Sequence, residues 1–136
     1  YGFPGDEAMR PIVLEALSKG IAITTMNTPL PDLEKEFKGD GFGYAGADLY
    51  TAGYNLGAKG VEVCGLNAGD KAFVWGLASM PNRGDRTKGA LDALKDLGIE
   101  VVYQEIPDNV NADASQGTPM YVAVYSSNPD IKMAEA

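Results

Sequence analysis

The order in which helix-like and strand-like patterns alternate along this chain restricts the class of fold that it can adopt. Segments with the apolar spacing of an amphipathic helix alternate with short apolar runs that are typical of strands. The order is helix, strand, loop, strand, helix, strand, helix, strand, helix, strand. Because helical crossovers join parallel strands, this order predicts an α/β fold built on parallel sheets.

Local signals place the ends of these elements. Helices are predicted over residues 6–18, 49–63, 84–97 and 118–127, and strands over residues 21–26, 41–46, 71–76 and 99–104, with a last strand after residue 130. Asp6, Asp48 and Thr118 are candidate N-caps, and Gly20 and Gly98 suit the C-termini of helices. Residues 28–40 and 107–117 are predicted to be polar surface loops.

Charge and composition exclude several classes of function. The 136 residues carry a formal net charge of −8, which argues against nucleic acid and anionic membrane surfaces as partners. The chain has one cysteine and no histidine, which excludes an internal disulfide, a cysteine-rich metal site and histidine-dependent nucleophilic catalysis. We predict no catalytic residues and no metal site, and the lack of histidine makes an enzyme less expected.

Two polar residues stand where predicted strands end. The run Trp75-Gly76-Leu77 closes a strand, and Arg86 lies near the start of the helix that follows. Asn27 directly follows the first predicted strand. In open α/β sheets, ligands lie beyond the carboxyl ends of the strands, where both residues are expected. An amide and a guanidinium suit vicinal hydroxyls, a carboxylate or a carbonyl.

The same two residues also have a structural interpretation. Asn27 would begin a turn, and Arg86 would pair with a nearby carboxylate such as Asp85 or Asp92. Spacing along the chain does not decide between a structural role and a ligand-binding role for either residue.

Three other features have competing interpretations. Residues 41–46 match the glycine-rich dinucleotide-binding pattern, but the charged residues before Gly41 do not form the buried strand that this motif requires. The hypothesis of a nucleotide-binding enzyme therefore depends on this sequence match alone. Cys64 has apolar neighbours and is predicted to be buried. Trp75 is predicted to belong to the core, with stacking on a sugar ring as the alternative.

The chain resembles type I periplasmic sugar-binding proteins, the ribose-binding-like solute-binding components of ABC transporters. Four segments carry the similarity in order, and they are GFPGDEAMRPIVLEALSKGIAITTMNT, GYAGADLYTAGYNLG, FVWGLASMPNRGDRTKGALDALKDLGIEVV and SSNPDIKMAEA. The resemblance extends over the whole chain. In this family, two Rossmann-like lobes close on a sugar that is held between them.

The resemblance implies roles for individual residues. Asn27 matches a polar ligand-binding residue of the first lobe, and Arg86 matches an arginine of the second lobe that hydrogen-bonds the sugar. Leu77 matches a loop position that lines the cleft. Thr28 stands where ribose-binding members often have arginine, so the resemblance leaves the identity of the sugar or polyol open.

The resemblance also implies how the chain is divided. Residues 1–47 would be the second half of an N-terminal lobe, and residues 48–136 the first half of a C-terminal lobe. Ala47 and Asp48 match the first crossover between the lobes. Ala47 is therefore a further candidate ligand contact, and Gly46 and Asp48 are candidate hinge residues. Since the chain starts without Met or a signal segment, we expect an internal fragment of a longer protein.

The function implied by the resemblance is transport. The protein would capture a small sugar or polyol in the periplasm and deliver it to an ABC permease in the membrane, without a cofactor. A LacI-type transcriptional repressor is an alternative, because its effector-binding domain has the same fold. A Rossmann-type nucleotide-binding enzyme is a further alternative. An upstream signal peptide would favour transport, and an upstream helix-turn-helix would favour repression.

Overall fold

A computed structural model describes residues 5–136 of the chain. Its helices are α1 (Asp6–Ser18), α2 (Pro31–Phe37), α3 (Leu49–Cys64), α4 (Gly84–Asp96), α5 (Asp108–Ala112) and α6 (Thr118–Ser127). Its strands are β1 (Ile23–Met26), β2 (Phe42–Ala45), β3 (Lys71–Gly76), β4 (Glu100–Glu105) and β5 (Ile131–Glu135). β1 pairs with β2, and β3 pairs with β4 and β5, in each case in parallel. The predicted α/β class with parallel sheets is confirmed.

Two segments that were predicted to be loops contain helices. Residues 28–40 include α2 and a 3₁₀ turn at Lys38–Asp40, and residues 107–117 include α5 and a 3₁₀ turn at Ala114–Gly117. The N-cap of α2 is Leu30, which has no polar side chain, so no local capping signal marks this helix in the sequence.

The predicted N-caps of two helices are also corrected. Asp6 is the first residue of α1, and Gly5 is the N-cap of that helix. The Asp6 carboxylate instead accepts a hydrogen bond from the backbone amide of Leu33, in α2, at 2.9 Å. Thr118 is likewise the first residue of α6, and its N-cap is Gly117. An acidic or hydroxyl residue near a helix start therefore does not fix the capping position by itself.

The first compact unit comprises the described residues up to Asp48 together with Met80–Arg83. Its core contains the side chains of α1, α2 and β2, and the buried members are Val13, Leu30, Leu33 and Phe42. β1 is shorter than predicted and only half-buried, with Thr24 and Met26 exposed. Alternate residues of a strand point to opposite faces, so a single covered face explains this pattern.

The second compact unit comprises Leu49–Ser79 and Gly84–Ala136 and holds a sheet in the order β4-β3-β5. On one face, Ala72 and Val74 of β3 pack in a core that includes residues of α3 and α4. On the other face, Phe73 contacts the rings of Tyr121 and Tyr125 in α6, with centroids 5.0 and 5.9 Å away. Helices therefore cover both faces of this sheet.

The connections of this sheet diverge at β3. The chain leaves β3 through α4 to β4 on one side, and then returns through α6 to β5 on the other side. In open α/β sheets, two loops that leave neighbouring strands in opposite directions have a crevice between them at the carboxyl ends of these strands. Ligands bind in this crevice. The loop after Gly76, which carries Leu77, lies at this point.

The prediction that Cys64 is buried is wrong. Cys64 is the last residue of α3 and is exposed. The chain turns directly after it at Gly65, which has a φ of +64°, and the preceding Val63 is 72% exposed. Within residues 5–136, no helix combines the length and the apolar character needed to cross a membrane.

Candidate ligand-binding site

The first unit brings Asn27 and Ala47 to the same edge of its two-stranded sheet. Asn27 directly follows β1, and its backbone amide donates a hydrogen bond to the carbonyl of Ala45, the last residue of β2, at 3.4 Å. Ala47 lies two residues further along and is exposed, as is Asn27. Two of the predicted ligand contacts thus share one sheet edge.

Asn27 has a conformational reason to be asparagine. Its φ is +63°, in the left-handed region that few residues other than glycine, asparagine and aspartate adopt readily. The turn continues with a hydrogen bond from the Thr28 amide to the Met26 carbonyl at 2.8 Å. The structural interpretation of Asn27 is therefore supported, and a ligand contact by its exposed side chain stays a prediction.

The candidate hinge residues lie between β2 and α3. The Tyr44 hydroxyl donates a hydrogen bond to the Ala47 carbonyl at 3.0 Å, so the phenol ring folds back over the chain. A methyl group at Gly46 would meet the outer end of the Tyr44 side chain, which would have to shift to make room for it. α3 begins at Leu49, directly after Asp48. A hinge at Gly46 and Asp48 stays a prediction.

In the second unit, Leu77 lies against the first turn of α4. The Leu77 amide donates a hydrogen bond to Oγ1 of Thr87 at 3.2 Å. A methyl group at Gly84 would lie 2.6 Å from the Leu77 carbonyl oxygen and 2.7 Å from that of Ala78, so only glycine fits there. Arg86 is the third residue of α4. The loop that carries Leu77 and the turn that carries Arg86 are therefore packed together.

Arg86 does not form the ion pairs that its structural interpretation predicts. Asp85 pairs with Lys88 at 2.8 Å. Asp92 accepts a hydrogen bond from the Tyr50 hydroxyl at 2.8 Å. Arg86 is exposed, and the ion pairs formed within residues 5–136 do not include one to its guanidinium. Pairing of Arg86 with Asp85 or Asp92 is thus wrong.

Glycines of α3 set the position of the backbone around Arg86. A methyl group at Gly53 would overlap the Arg86 carbonyl oxygen, and one at Gly57 would lie 3.0 Å from the Ala90 carbonyl oxygen. The backbones of α3 and α4 can approach this closely because these glycines have no Cβ. The placement of Arg86 therefore depends on a helix that is distant in sequence.

Sequence reasoning missed a carboxylate at the end of β5. Glu135 pairs in register with Val74, near the carboxyl end of the central strand, and is partly buried. Burial raises the pKa of the Glu135 carboxyl. A carboxylate can accept two or more hydroxyl hydrogens from a ligand. A single glutamate at the end of an apolar run has no pattern by which sequence could have identified it.

Trp75 belongs to an aromatic cluster on the α6 face of the sheet. It is half-buried and makes edge contacts with the rings of Phe73 and Tyr121, at centroid distances of 6.2 and 6.0 Å. It also lines a cavity of about 260 Å³, together with Ala114, Gly117, Thr118, Tyr121, Val122 and Ala136. Trp75 therefore packs in an aromatic cluster but is not one of the buried core residues, and stacking on a sugar stays a prediction.

The described residues offer little support for a nucleotide or a metal. Gly43 lies inside β2, and a 3₁₀ turn rather than a strand precedes Gly41. The dinucleotide motif needs a strand before its first glycine and a helix that opens on the last one. Within residues 5–136, no cluster of three or more acidic or cysteine side chains could hold a metal ion.

Comparisons with known proteins agree with this geometry. A family model for the periplasmic binding protein domain matches residues 3–134. An ABC transporter solute-binding protein from Burkholderia multivorans, with an unknown ligand represented as α-D-erythrofuranose, has a TM-score of 0.70 and 26% identity. A periplasmic solute-binding protein of an ABC transporter from Actinobacillus succinogenes 130z, with bound D-allose, has a TM-score of 0.71 and 27% identity.

These similarities cover most of this chain but less than half of each solved structure. They extend over 93% of this chain and 44% of the Burkholderia protein, and over 91% of this chain and 42% of the Actinobacillus protein. No curated protein matches the chain. The family model spans nearly all of the sequence, and the parallel α/β units have the expected architecture. The chain therefore belongs to the periplasmic binding protein domain family, as the resemblance of its sequence predicted.

Proposed function

We propose that this chain is part of the solute-binding component of an ABC transporter and that it binds a small sugar or polyol. Membership of the family and the similarity to two solute-binding proteins, one of them with bound D-allose, support this proposal. The observation in this chain that carries it is Arg86. Arg86 is exposed in the first turn of α4, which follows the carboxyl end of β3, and its two predicted ion-pair partners, Asp85 and Asp92, contact Lys88 and Tyr50 instead.

In this proposal each compact unit contributes part of the ligand contacts. Asn27 and Ala47 are the contributions of the first unit, and Leu77 and Arg86 are those of the second. The planar guanidinium can donate two parallel hydrogen bonds to neighbouring hydroxyl oxygens. Leu77 offers an apolar contact for the C–H face of a sugar. A solute without matching hydroxyls would leave the polar groups unpaired, which is the physical basis of discrimination.

The proposed role is capture and delivery without chemical conversion of the solute. The protein would act in the periplasm and pass its solute to a permease in the membrane. Gly46 and Asp48 are the proposed hinge positions, since closure of such proteins depends on a few residues at the ends of elements. No cofactor is needed for this function.

The experiment is a ligand screen on the protein expressed from its complete reading frame. D-Allose, D-ribose and erythritol are used first, because they represent a hexose, a pentose and a polyol. A solute that binds the folded state raises the melting temperature progressively with its concentration. Isothermal titration calorimetry then gives the affinity. If no sugar or polyol raises the melting temperature, the proposed function is wrong.

The site assignment is tested with Arg86→Ala. A hydrogen bond to a charged group contributes about 1.5–3 kcal/mol, so binding should weaken roughly 10- to 100-fold. Lys88→Ala is the matched control, because it removes the same charge from an exposed position of the same helix. Equal affinities for both variants would show that Arg86 is not a ligand contact.

A further inference from the structure

Two side chains of β4 hold the loop that follows β3. Glu105 is the last residue of β4, and its carboxylate accepts hydrogen bonds from the Ser79 hydroxyl at 2.7 Å and from the Ser79 amide at 3.3 Å. The Tyr103 hydroxyl donates a hydrogen bond to the other oxygen of the same carboxylate. The Tyr103 oxygen in turn accepts a hydrogen bond from the Ala78 amide at 3.0 Å. Two consecutive residues of the loop are thus attached to one strand end.

This network has a defined donor and acceptor order. Tyr103 can donate to Glu105 and accept from Ala78 only while the phenol is neutral, and Glu105 accepts from three groups only while it is ionised. Burial, together with the hydrogen bond to Glu105, raises the pKa of Tyr103 to about 12. Burial opposes ionisation of Glu105, but the hydrogen bonds from Tyr103 and Ser79 outweigh it and lower its pKa. Both groups are therefore in the required form at neutral pH.

The same loop is fixed at its other side by α4. Leu77 donates to Thr87 in the first turn of α4, and Gly84 lies directly against the Leu77 carbonyl. The loop is therefore held by β4 at Ala78 and Ser79 and by α4 at Leu77. Arg86 lies in the turn of α4 that receives this contact. A displacement of Ala78 and Ser79 would be transmitted to Leu77 and to the start of α4.

We propose that Tyr103 and Glu105 are positioning residues of the ligand site, which hold Leu77 and Arg86 in their binding arrangement before a solute arrives. The inference rests on the proposed function, because Leu77 and Arg86 are its candidate contacts. A site that is ordered in advance loses less conformational entropy on binding, which increases affinity. Neither side chain has to touch the solute for this effect.

The test compares Tyr103→Phe and Glu105→Gln with the wild type, using the protein from the complete reading frame. Hydrogen exchange of the peptide that contains residues 77–83 should become faster in both variants. Tyr103→Phe removes the acceptor of the Ala78 amide. In Glu105→Gln an amide nitrogen replaces the oxygen that accepts from Tyr103, and the remaining hydrogen bonds from Ser79 lose the strengthening effect of the negative charge. Affinity for whichever of D-allose, D-ribose and erythritol the wild type binds should fall about 3- to 10-fold, the effect of one hydrogen bond. Acid should also lower the affinity of the wild type, because Glu105 becomes protonated. The affinity of Glu105→Gln should fall less over the same pH range.

Asp113→Asn is the matched control. Asp113 accepts hydrogen bonds from the Ser115 amide and hydroxyl, at 3.1 and 2.7 Å, in a loop that is not attached to Leu77. This variant makes the same change from carboxylate to amide in a comparable network, but it should keep the wild-type affinity. Ser79→Ala is a milder variant in case Tyr103→Phe does not fold, since Ser79 is exposed. It should weaken binding by a few-fold.

The outcomes separate the positioning role from the proposed function. If neither these three probes nor any other sugar or polyol of the screen binds the wild type, the proposed function is wrong and the inference is overturned with it. If the wild type binds and the folded variants bind equally tightly, Tyr103 and Glu105 have no positioning role, although the proposed function stands. If Asp113→Asn weakens binding as much as Glu105→Gln does, the effect is one of general stability and the inference is overturned.

Discussion

The carboxylate of Asp6 accepts a hydrogen bond at 2.9 Å from the backbone amide of Leu33, which lies 27 residues further along the chain. Leu33 is the third residue of α2, whose own N-cap, Leu30, has no polar side chain. Asp6 therefore satisfies one of the amides that the first turn of α2 leaves without an intrahelical partner. The second carboxylate oxygen lies 3.5 Å from Nδ2 of Asn82.

This contact predicts that Asp6→Ala destabilises the chain. Removal of a capping carboxylate costs about 1 kcal/mol of unfolding free energy, and urea denaturation measures that loss. Glu7→Ala is the control, because Glu7 occupies the same first turn of α1 and is exposed. It removes the same charge from the helix N-terminus but not the contact with α2. Equal losses in the two variants would attribute the effect to the α1 dipole rather than to capping of α2.

The same contact shows why the sequence predicts some helices and misses others. The helices α3 and α4 carry apolar faces at regular spacing, and β3 was predicted over the residues that form it, 71–76. α2 has only seven residues, and its capping group is distant in the chain. Periodicity and local capping residues are short-range signals. A short helix that depends on a partner from another element has neither signal.

The candidate site was predictable in outline for a similar reason. Asn27 lies at the carboxyl edge of the sheet of the first unit, and Leu77 and Arg86 follow the end of β3 in the sheet of the second unit, as their positions after predicted strands indicate. Their surroundings were only partly predictable. The ion pair between Asp85 and Lys88 joins residues three apart in α4, whereas the hydrogen bond from Tyr50 to Asp92 depends on how α3 packs on α4. The attachment of the loop to Glu105 depends on strand register, which pairs Glu105 with Gly76.

The close approach of α3 and α4 predicts the effect of Gly53→Ala. Alanine is favoured over glycine in a helix by about 1 kcal/mol, so the substitution would stabilise an isolated helix. At position 53 the added methyl group would overlap the Arg86 carbonyl oxygen, and overpacking of this kind costs about 1–3 kcal/mol. We expect a net loss of unfolding free energy of up to about 2 kcal/mol, measured by urea denaturation, and weaker solute binding through displacement of Arg86.

Gly60→Ala is the control for this substitution in the same helix. A methyl group at position 60 would meet the side chain of Met133, whose thioether can move aside. The helix propensity of alanine should therefore dominate, and stability should be unchanged or slightly higher. If Gly53→Ala were as stable as Gly60→Ala, the backbones of α3 and α4 would have room at position 53 and the close packing would be disproved.

The aromatic cluster predicts a large effect for Tyr121→Ala. Tyr121 contacts the rings of Phe73, Trp75 and Tyr125 at centroid distances of 5.0, 6.0 and 5.5 Å. Loss of this ring should lower the unfolding free energy by about 2–4 kcal/mol. It should also shift the emission of Trp75, the only tryptophan of the chain, to longer wavelength as water reaches the indole.

Val122→Ala is the neighbouring control for the aromatic cluster. Val122 is 55% exposed, so its truncation should change stability by no more than about 0.5 kcal/mol. The Trp75 emission maximum should stay at its wild-type wavelength. A similar red shift in both variants would mean that α6 as a whole is displaced and that the Tyr121 ring does not specifically cover Trp75.

The raised pKa of Glu135 predicts how stability depends on pH. Burial favours the protonated carboxyl, so the folded state binds this proton more tightly than the unfolded state does. The favourable contribution is complete below the ordinary pKa of glutamate, about 4.3, and is lost as the pH rises through the raised value. Glu135→Gln should therefore be more stable than the wild type at pH 7, with the difference shrinking towards pH 4.

Glu100→Gln is the control and should not stabilise the chain, because Glu100 is exposed and attracts Lys71. Urea midpoints at several pH values measure both effects, and a gain at pH 7 for Glu100→Gln as well would point to relief of the overall negative charge instead of the burial of Glu135.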